Sequence, residues 1–211
     1  MLPDTTVPLD TVTVEVPVAV SGQRAFHPEA EVAVARAARS RAMLMMLSTG
    51  ASASVEEVAE ARGAPVWQQL YPTDQWPVAE AIVRRAERAG CPAIVLTVDT
   101  MPGRNSETLR RAMRVDGRTC TDCHVNNQHD MWRKAPMFAG LDVSRVAALA
   151  PLDLTPAYLD RLRALVSVKL LVKGVVTGED AALAVAHGVD GVIVSNHGCF
   201  TIGRIDSGII V

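Results

Sequence analysis

One stretch narrows the choice of fold more than any other: LLVKGVVTGEDAALAVAHGVDGVIVSNHGC, from Leu170 to Cys199. Leu170–Lys173 and Val192–Ser195 are short apolar runs with the Val/Ile bias of strands buried on both faces. Between them, Glu179–His187 sets Ala182, Val185 and Ala186 on one side at helical spacing, and Gly188 follows as the helix stop. Parallel strands joined by a helix form a right-handed unit, and reactive groups in such folds gather at the C-terminal ends of the strands. Those ends carry Lys173 and the run Ser195-Asn196-His197-Gly198. A cation and an imidazole on neighbouring strand tips point to a catalytic site.

The same rhythm runs back through the chain. Val16–Val20, Met43–Leu47, Val66–Leu70 and Ile94–Val98 are further apolar runs that end in polar tips, and with Leu170–Lys173 and Val192–Ser195 they make six expected strands. Amphipathic stretches at Pro28–Ala42, Ser54–Ala61, Pro77–Ala89 and Pro156–Val166 are expected helices. Ser54 ahead of Glu56 and Glu57 reads as an N-cap with an acidic first turn. Alternating strands and helices with short links predict an α/β fold, a parallel sheet or barrel. The exception is 102–154, rich in Arg, Asn, Asp and Pro, which reads as a long loop excursion after the fourth strand within a single domain spanning 1–211.

Composition bounds the partners. A net charge of −2 gives no long-range attraction to nucleic acid, and an aromatic content of 4% argues against base-stacking platforms. No apolar run approaches the ~18–20 residues of a membrane span. Four cysteines without a recognisable export signal predict reduced thiols and a cytoplasmic location.

Side chains two apart in a strand share a face. Three strand ends show polar pairs at that spacing, Gln69/Tyr71, Thr97/Asp99 and Ser195/His197. Three such pairs together with Lys173 exceed what maintaining a fold requires, and they predict an active site on the inward face.

At these residues the chain resembles the FMN-dependent 2-hydroxy acid oxidase and dehydrogenase family, which includes glycolate oxidase, lactate oxidase and mandelate dehydrogenase. The motifs that carry the resemblance are PVAVSGQRAFHPEAE, LSTGASASVEEVA, WQQLY, RRAERAGCPAIVLTVDT and LVKGVVTGEDAALAVAHGVDGVIVSNHG, in order from Pro17 to Gly198. The resemblance implies a partial TIM (β/α)8 barrel holding about the first six βα units, FMN as cofactor, and oxidation of a small 2-hydroxy acid to a 2-oxo acid. It implies that the backbone of Ala19, Val20 and Ser21 runs along the flavin, and that Ser48, Gln69 and Thr97 hydrogen-bond the isoalloxazine edge. Lys173 would stand near flavin N1 and O2, and Ser195 near the ribityl side. Tyr71 would bond the substrate, Arg104 would reach the substrate mouth, and His197 would be the base, oriented by Asp99. Gly50 stands where some relatives carry a bulky residue, which implies a roomier pocket. The electron acceptor is open, and a homo-oligomer is an expectation.

Three departures accompany the matches. The family's substrate-gripping arginine lies three residues beyond the base, where this chain has Phe200; Arg204 is nearby at a different spacing. The family's seventh and eighth strands, their phosphate-holding turns and the N-terminal helical segment find no counterpart in these 211 residues, so a barrel truncated at both ends, with unpaired strand edges, is expected. The tail CFTIGRIDSGIIV resembles no family sequence and reads as a change of frame or an artificial end. An inactive fragment of such an enzyme is therefore one alternative. Another is a metal- or haem-binding electron-transfer module through Cys120, Cys123 and His124, a CxxCH run with His129 nearby; the plainer expectation is a loop of reduced thiols and no metal.

Overall fold

The computed structural model describes residues 19–100, 133–151, 154–197 and 209–210, together with positions 107, 111, 114, 115 and 117. Five strands form a parallel sheet in sequential order: β1 (Met46–Leu47), β2 (Trp67–Leu70), β3 (Ala93–Thr97), β4 (Lys169–Val175) and β5 (Gly191–Val194). Helices α1 (Ala30–Ser40), α2 (Val55–Arg62), α3 (Trp76–Arg88), α4 (Pro156–Leu165) and α5 (Gly178–Ala186) accompany them. The strand order never reverses, which distinguishes a barrel wall from a doubly wound sheet.

Period two sorts the side chains. Leu47, Leu70, Ile94, Leu96 and Leu170 point outward and pack with Val58, Ile82, Val83 and Leu162 of the helices. Met46, Ala93, Val95, Leu171 and Ile193 form a separate inward layer, with Ala19 and Trp67 against it. Helices on one face and a second apolar layer on the other make the sheet part of a (β/α) barrel, as expected.

Local chemistry explains the helix ends. Ser54 accepts from the Glu57 backbone N–H while the Glu57 carboxylate accepts from the Ser54 backbone, a full capping box. Thr177 caps α5 by accepting from the Asp180 N–H. His27 Nδ1 accepts from the Glu29 N–H at 3.2 Å just before α1.

Several expectations are corrected. Of the first expected strand, Val16–Pro17–Val18 lies outside the described residues; Ala19 and Val20 lie in no strand, and the Val20 carbonyl accepts from the Gln23 side chain instead. Strand β1 starts at Met46 rather than Met43; the Met43 carbonyl accepts from the Arg62 guanidinium at 3.1 and 2.9 Å. On α5 the buried side chain is Ala184, and Ala182, Val185 and Ala186 face out. From Ala181 to Ala186 that helix is apolar throughout, so spacing alone does not choose its inner face. Arg85 of α3 bridges to Glu56 of α2 at 2.8 and 2.9 Å and ties the two helices together. Within the excursion, 107, 111, 114 and 115 are helical positions and Pro136–Phe138 forms a 3-10 turn. The tail contributes β6 (Ile209–Ile210), antiparallel to β5 with Val192 opposite Ile210, so the β5 edge is paired rather than open.

Candidate functional site

The inward parity continues past the apolar layer. Moving toward the C-terminal ends, β2 presents Gln69 and Tyr71, β3 presents Thr97 and Asp99, β4 presents Lys173, and β5 leads to Ser195 and His197. The strand register sets Thr97 beside Lys173. The polar side chains therefore gather at one end of the barrel interior, where parity and parallel pairing put them.

They form two assemblies. The first is a neutral row. Gln69 donates from Nε2 to Thr97 Oγ1 at 2.9 Å, and its Oε1 accepts from Ser48 Oγ at 3.1 Å and from the Thr49 N–H at 3.2 Å. Ser48 Oγ lies 2.8 Å from Ser21 Oγ; with its own proton given to Gln69, it accepts from Ser21. Ser48, Gln69 and Thr97 are buried.

The second assembly is charged. Asp99 lies between two cations or potential cations: Oδ1 is 2.7 Å from His197 Nδ1 and Oδ2 is 3.3 Å from Lys173 Nζ. His197 Nε2 faces the Tyr71 hydroxyl at 3.4 Å. Burial pushes the Asp99 carboxyl up, but the hydrogen bond from His197 and the positive charge of Lys173 outweigh it and hold the group below its ordinary range. An ionised Asp99 only accepts, so Nδ1 carries a proton, and in the neutral ring Nε2 presents its lone pair to the site. The geometry thus supplies an oriented base with a phenol beside it.

Three features of the site have no local signature in the sequence. Gly174 interrupts the β4–β5 register with a φ of 110°, and a Cβ there would lie 2.5 Å from the Asp99 Cβ. This close approach is what lets Asp99 lean over β4. His197 itself has a φ of 61°, held by its backbone N–H donating to Ser195 Oγ at 3.0 Å. Thr49, fully buried, donates to the Gln69 carbonyl at 2.6 Å and accepts from the Tyr71 N–H at 3.1 Å, which sets the β2 tip. Gly50 does not open a roomier pocket: a Cβ there would meet Ser21 Oγ at 3.0 Å, so Ser21 takes that space. Arg104, Cys120, Cys123, His124, His129, Phe200 and Arg204 lie outside the described residues. Among the described residues no cluster of His, Cys, Asp and Glu suits a metal ion, and no helix is long and apolar enough to cross a membrane.

The family model described as FMN-dependent dehydrogenase matches residues 3–208. The chain belongs to the FMN-dependent dehydrogenase family. It is 38% identical over 188 residues to glycolate oxidase 1 of Zea mays, covering 83% of this chain and 47% of that protein. It is 39% identical over 186 residues to a peroxisomal (S)-2-hydroxy-acid oxidase of Oryza sativa subsp. japonica, covering 84% of this chain and 48% of that protein. The crystal structure of a mandelate oxidase superposes with a TM-score of 0.68 at 36% identity, covering 96% of this chain and 57% of the other. The chain thus spans about half the length of the curated relatives it matches.

FMN is the cofactor of this family, and the residues present fit its ring edge. Ser48, Gln69 and Thr97 put donors and acceptors side by side on successive strands, and Lys173 ends the series with a cation. An isoalloxazine edge alternates acceptors and an N–H in the same manner, and reduced flavin favours a nearby positive charge.

Proposed function

We propose that this chain carries the chemical centre of an FMN-dependent oxidoreductase that converts a small 2-hydroxy acid to a 2-oxo acid. The observation that carries the proposal is the Lys173–Asp99–His197–Tyr71 constellation, adjoining a neutral row suited to a flavin edge. When bound, FMN accepts the two electrons released by the substrate.

The roles follow from the atoms. His197 Nε2 takes a proton from the substrate, and Asp99, held ionised, stabilises the imidazolium through Nδ1. The Tyr71 hydroxyl, 3.4 Å from Nε2, orients the substrate's hydroxyl or carboxylate against the base. Lys173 supplies positive charge toward the flavin side, and the backbone from Ala19 through Ser21 lines the ring beside Ser48. Ser195 holds the His197 backbone with its acceptor lone pair, which leaves the hydroxyl proton for the ribityl side. Arg104 at the substrate mouth, an unspecified electron acceptor, a homo-oligomeric assembly and a cytosolic location complete this reading; the location rests on the cysteine pattern alone.

Anaerobic mixing of FMN-loaded protein with glycolate, lactate and mandelate tests it. Bleaching of the flavin's visible band by at least one acid is the expected result, and a fully oxidised spectrum with all three contradicts turnover by this chain. A second reading has one observation in its favour: Phe200 stands three residues beyond the base, where a guanidinium would hold the substrate carboxylate. In that case the chain binds FMN without bleaching, and Phe200→Arg restores reduction.

A further inference from the structure

Glu31 is a carboxyl group that the chemistry above does not use. It sits in the first turn of α1, is completely buried, and among the described residues Oε2 has no hydrogen-bond partner. Its Oε1 accepts from two backbone N–H groups on different loops: Gln23 at 3.3 Å and Ser52 at 2.9 Å. The first loop carries Ser21 and the second follows Ser48, the two hydroxyls that begin the neutral row. Two more bonds close the same seam, Gly22 N–H to the Gly50 carbonyl at 3.1 Å and Arg24 N–H to Ser52 Oγ at 3.1 Å. The chain enters Glu31 through Ala30 at a φ of 47°, a left-handed backbone that is unfavourable for a residue with a Cβ. A buried carboxyl and an adjacent strained residue are both expensive unless the contacts they secure matter.

We propose that Glu31 is a positioning residue that clamps the Ser21 and Ser48 loops together and so sets the first two hydroxyls of the flavin-facing row. The inference rests on the flavin reading above, and two of its consequences are separable from it. Removing the carboxyl frees two N–H groups in two loops at once, so both loops loosen together whether or not flavin is present. Their loosening separates Ser21 from Ser48, which breaks the row at its start and weakens FMN binding. The His197–Asp99 pair lies elsewhere on the sheet and is unaffected.

The test compares wild type with Glu31→Ala and Glu31→Gln by three measurements: hydrogen exchange of segments 21–23 and 50–52 without FMN, FMN affinity by fluorescence quenching, and Tm. Glu31→Ala is expected to speed exchange in both segments and to weaken FMN binding by about ten-fold or more, since it leaves two backbone N–H groups without their acceptor. Glu31→Gln keeps the Oε1 acceptor and is expected to stay within about three-fold of wild type, because the clamp needs an acceptor oxygen rather than a charge. A lower Tm with unchanged affinity and unchanged exchange in the two segments would overturn the proposal, since that pattern marks a merely structural residue. Should Glu31→Ala fail to fold, Glu31→Asp is measured in the same way; its reach is one methylene shorter, and normal exchange and affinity there would also overturn the clamp. If wild type quenches no FMN fluorescence, the flavin reading fails, and the exchange arm alone decides whether Glu31 ties the loops.

Discussion

The neutral row and the charged cluster share one barrel face, yet they are built on different backbones. Ser48, Gln69 and Thr97 sit on or just beyond regular parallel strands, and Ser48 and Gln69 each donate to the side chain on the next strand. The charged cluster depends on two irregularities, Gly174 at a φ of 110° and His197 at a φ of 61°. Groups of modest polarity can satisfy one another across a sheet at the period it already provides. Bringing one carboxylate within reach of both a lysine and an imidazole on neighbouring strands demands a bulge and a left-handed turn. The first assembly behaves as scaffold, and the second holds a reactive proton position under strain.

That contrast can be broken experimentally, and the largest effect falls on the charged side. Replacing His197 with alanine in FMN-loaded protein should slow substrate-driven flavin reduction by about 10²–10⁴-fold while FMN stays bound, as stopped-flow absorbance would record. On the neutral side, Gln69→Leu removes a hydrogen-bond partner from Ser48, the Thr49 N–H and Thr97. Each buried group left unpaired costs about 1–3 kcal/mol, so a large loss in denaturant midpoint is expected together with weaker FMN binding.

Gly174→Ala should destabilise by about 1–3 kcal/mol from backbone strain. It should also disturb the charged cluster, because the added Cβ meets Asp99 at 2.5 Å. A variant with wild-type Tm and wild-type reduction rate would show that the approach of Asp99 to β4 does not require a glycine. The smallest effect concerns acid. The folded Asp99 is held below the carboxylate range, so its contribution to stability is present above its unfolded pKa of about 3.9 and is lost as pH falls through the lower folded value. Tm measured from pH 6 down to pH 2 should fall more steeply below about pH 4 in wild type than in Asp99→Asn.

Much of this organisation is readable from period two. The pairs Gln69/Tyr71, Thr97/Asp99 and Ser195/His197 share a face for a geometric reason that needs no coordinates, and the structure bonds Gln69 to Thr97 and Asp99 to His197. What escapes are effects that depend on a distant partner. Nothing local marks Met43 as lying outside β1; the guanidinium that donates to its carbonyl is 19 residues away. Gly174 reads as an ordinary glycine in a strand until Asp99, at the tip of the neighbouring β3, is laid against it. The inner face of α5 differs from its expected one because every residue from Ala181 to Ala186 is apolar, leaving the pattern nothing to discriminate there.

The claim on which the rest depends is that this inner face takes a flavin ring. The most direct test is the visible difference spectrum of FMN on addition of the purified chain, repeated with Lys173→Met. The account predicts a shifted, structured flavin band that saturates with protein, and weaker saturation when the lysine charge is gone. A spectrum identical to that of free FMN at tens of micromolar protein would contradict it.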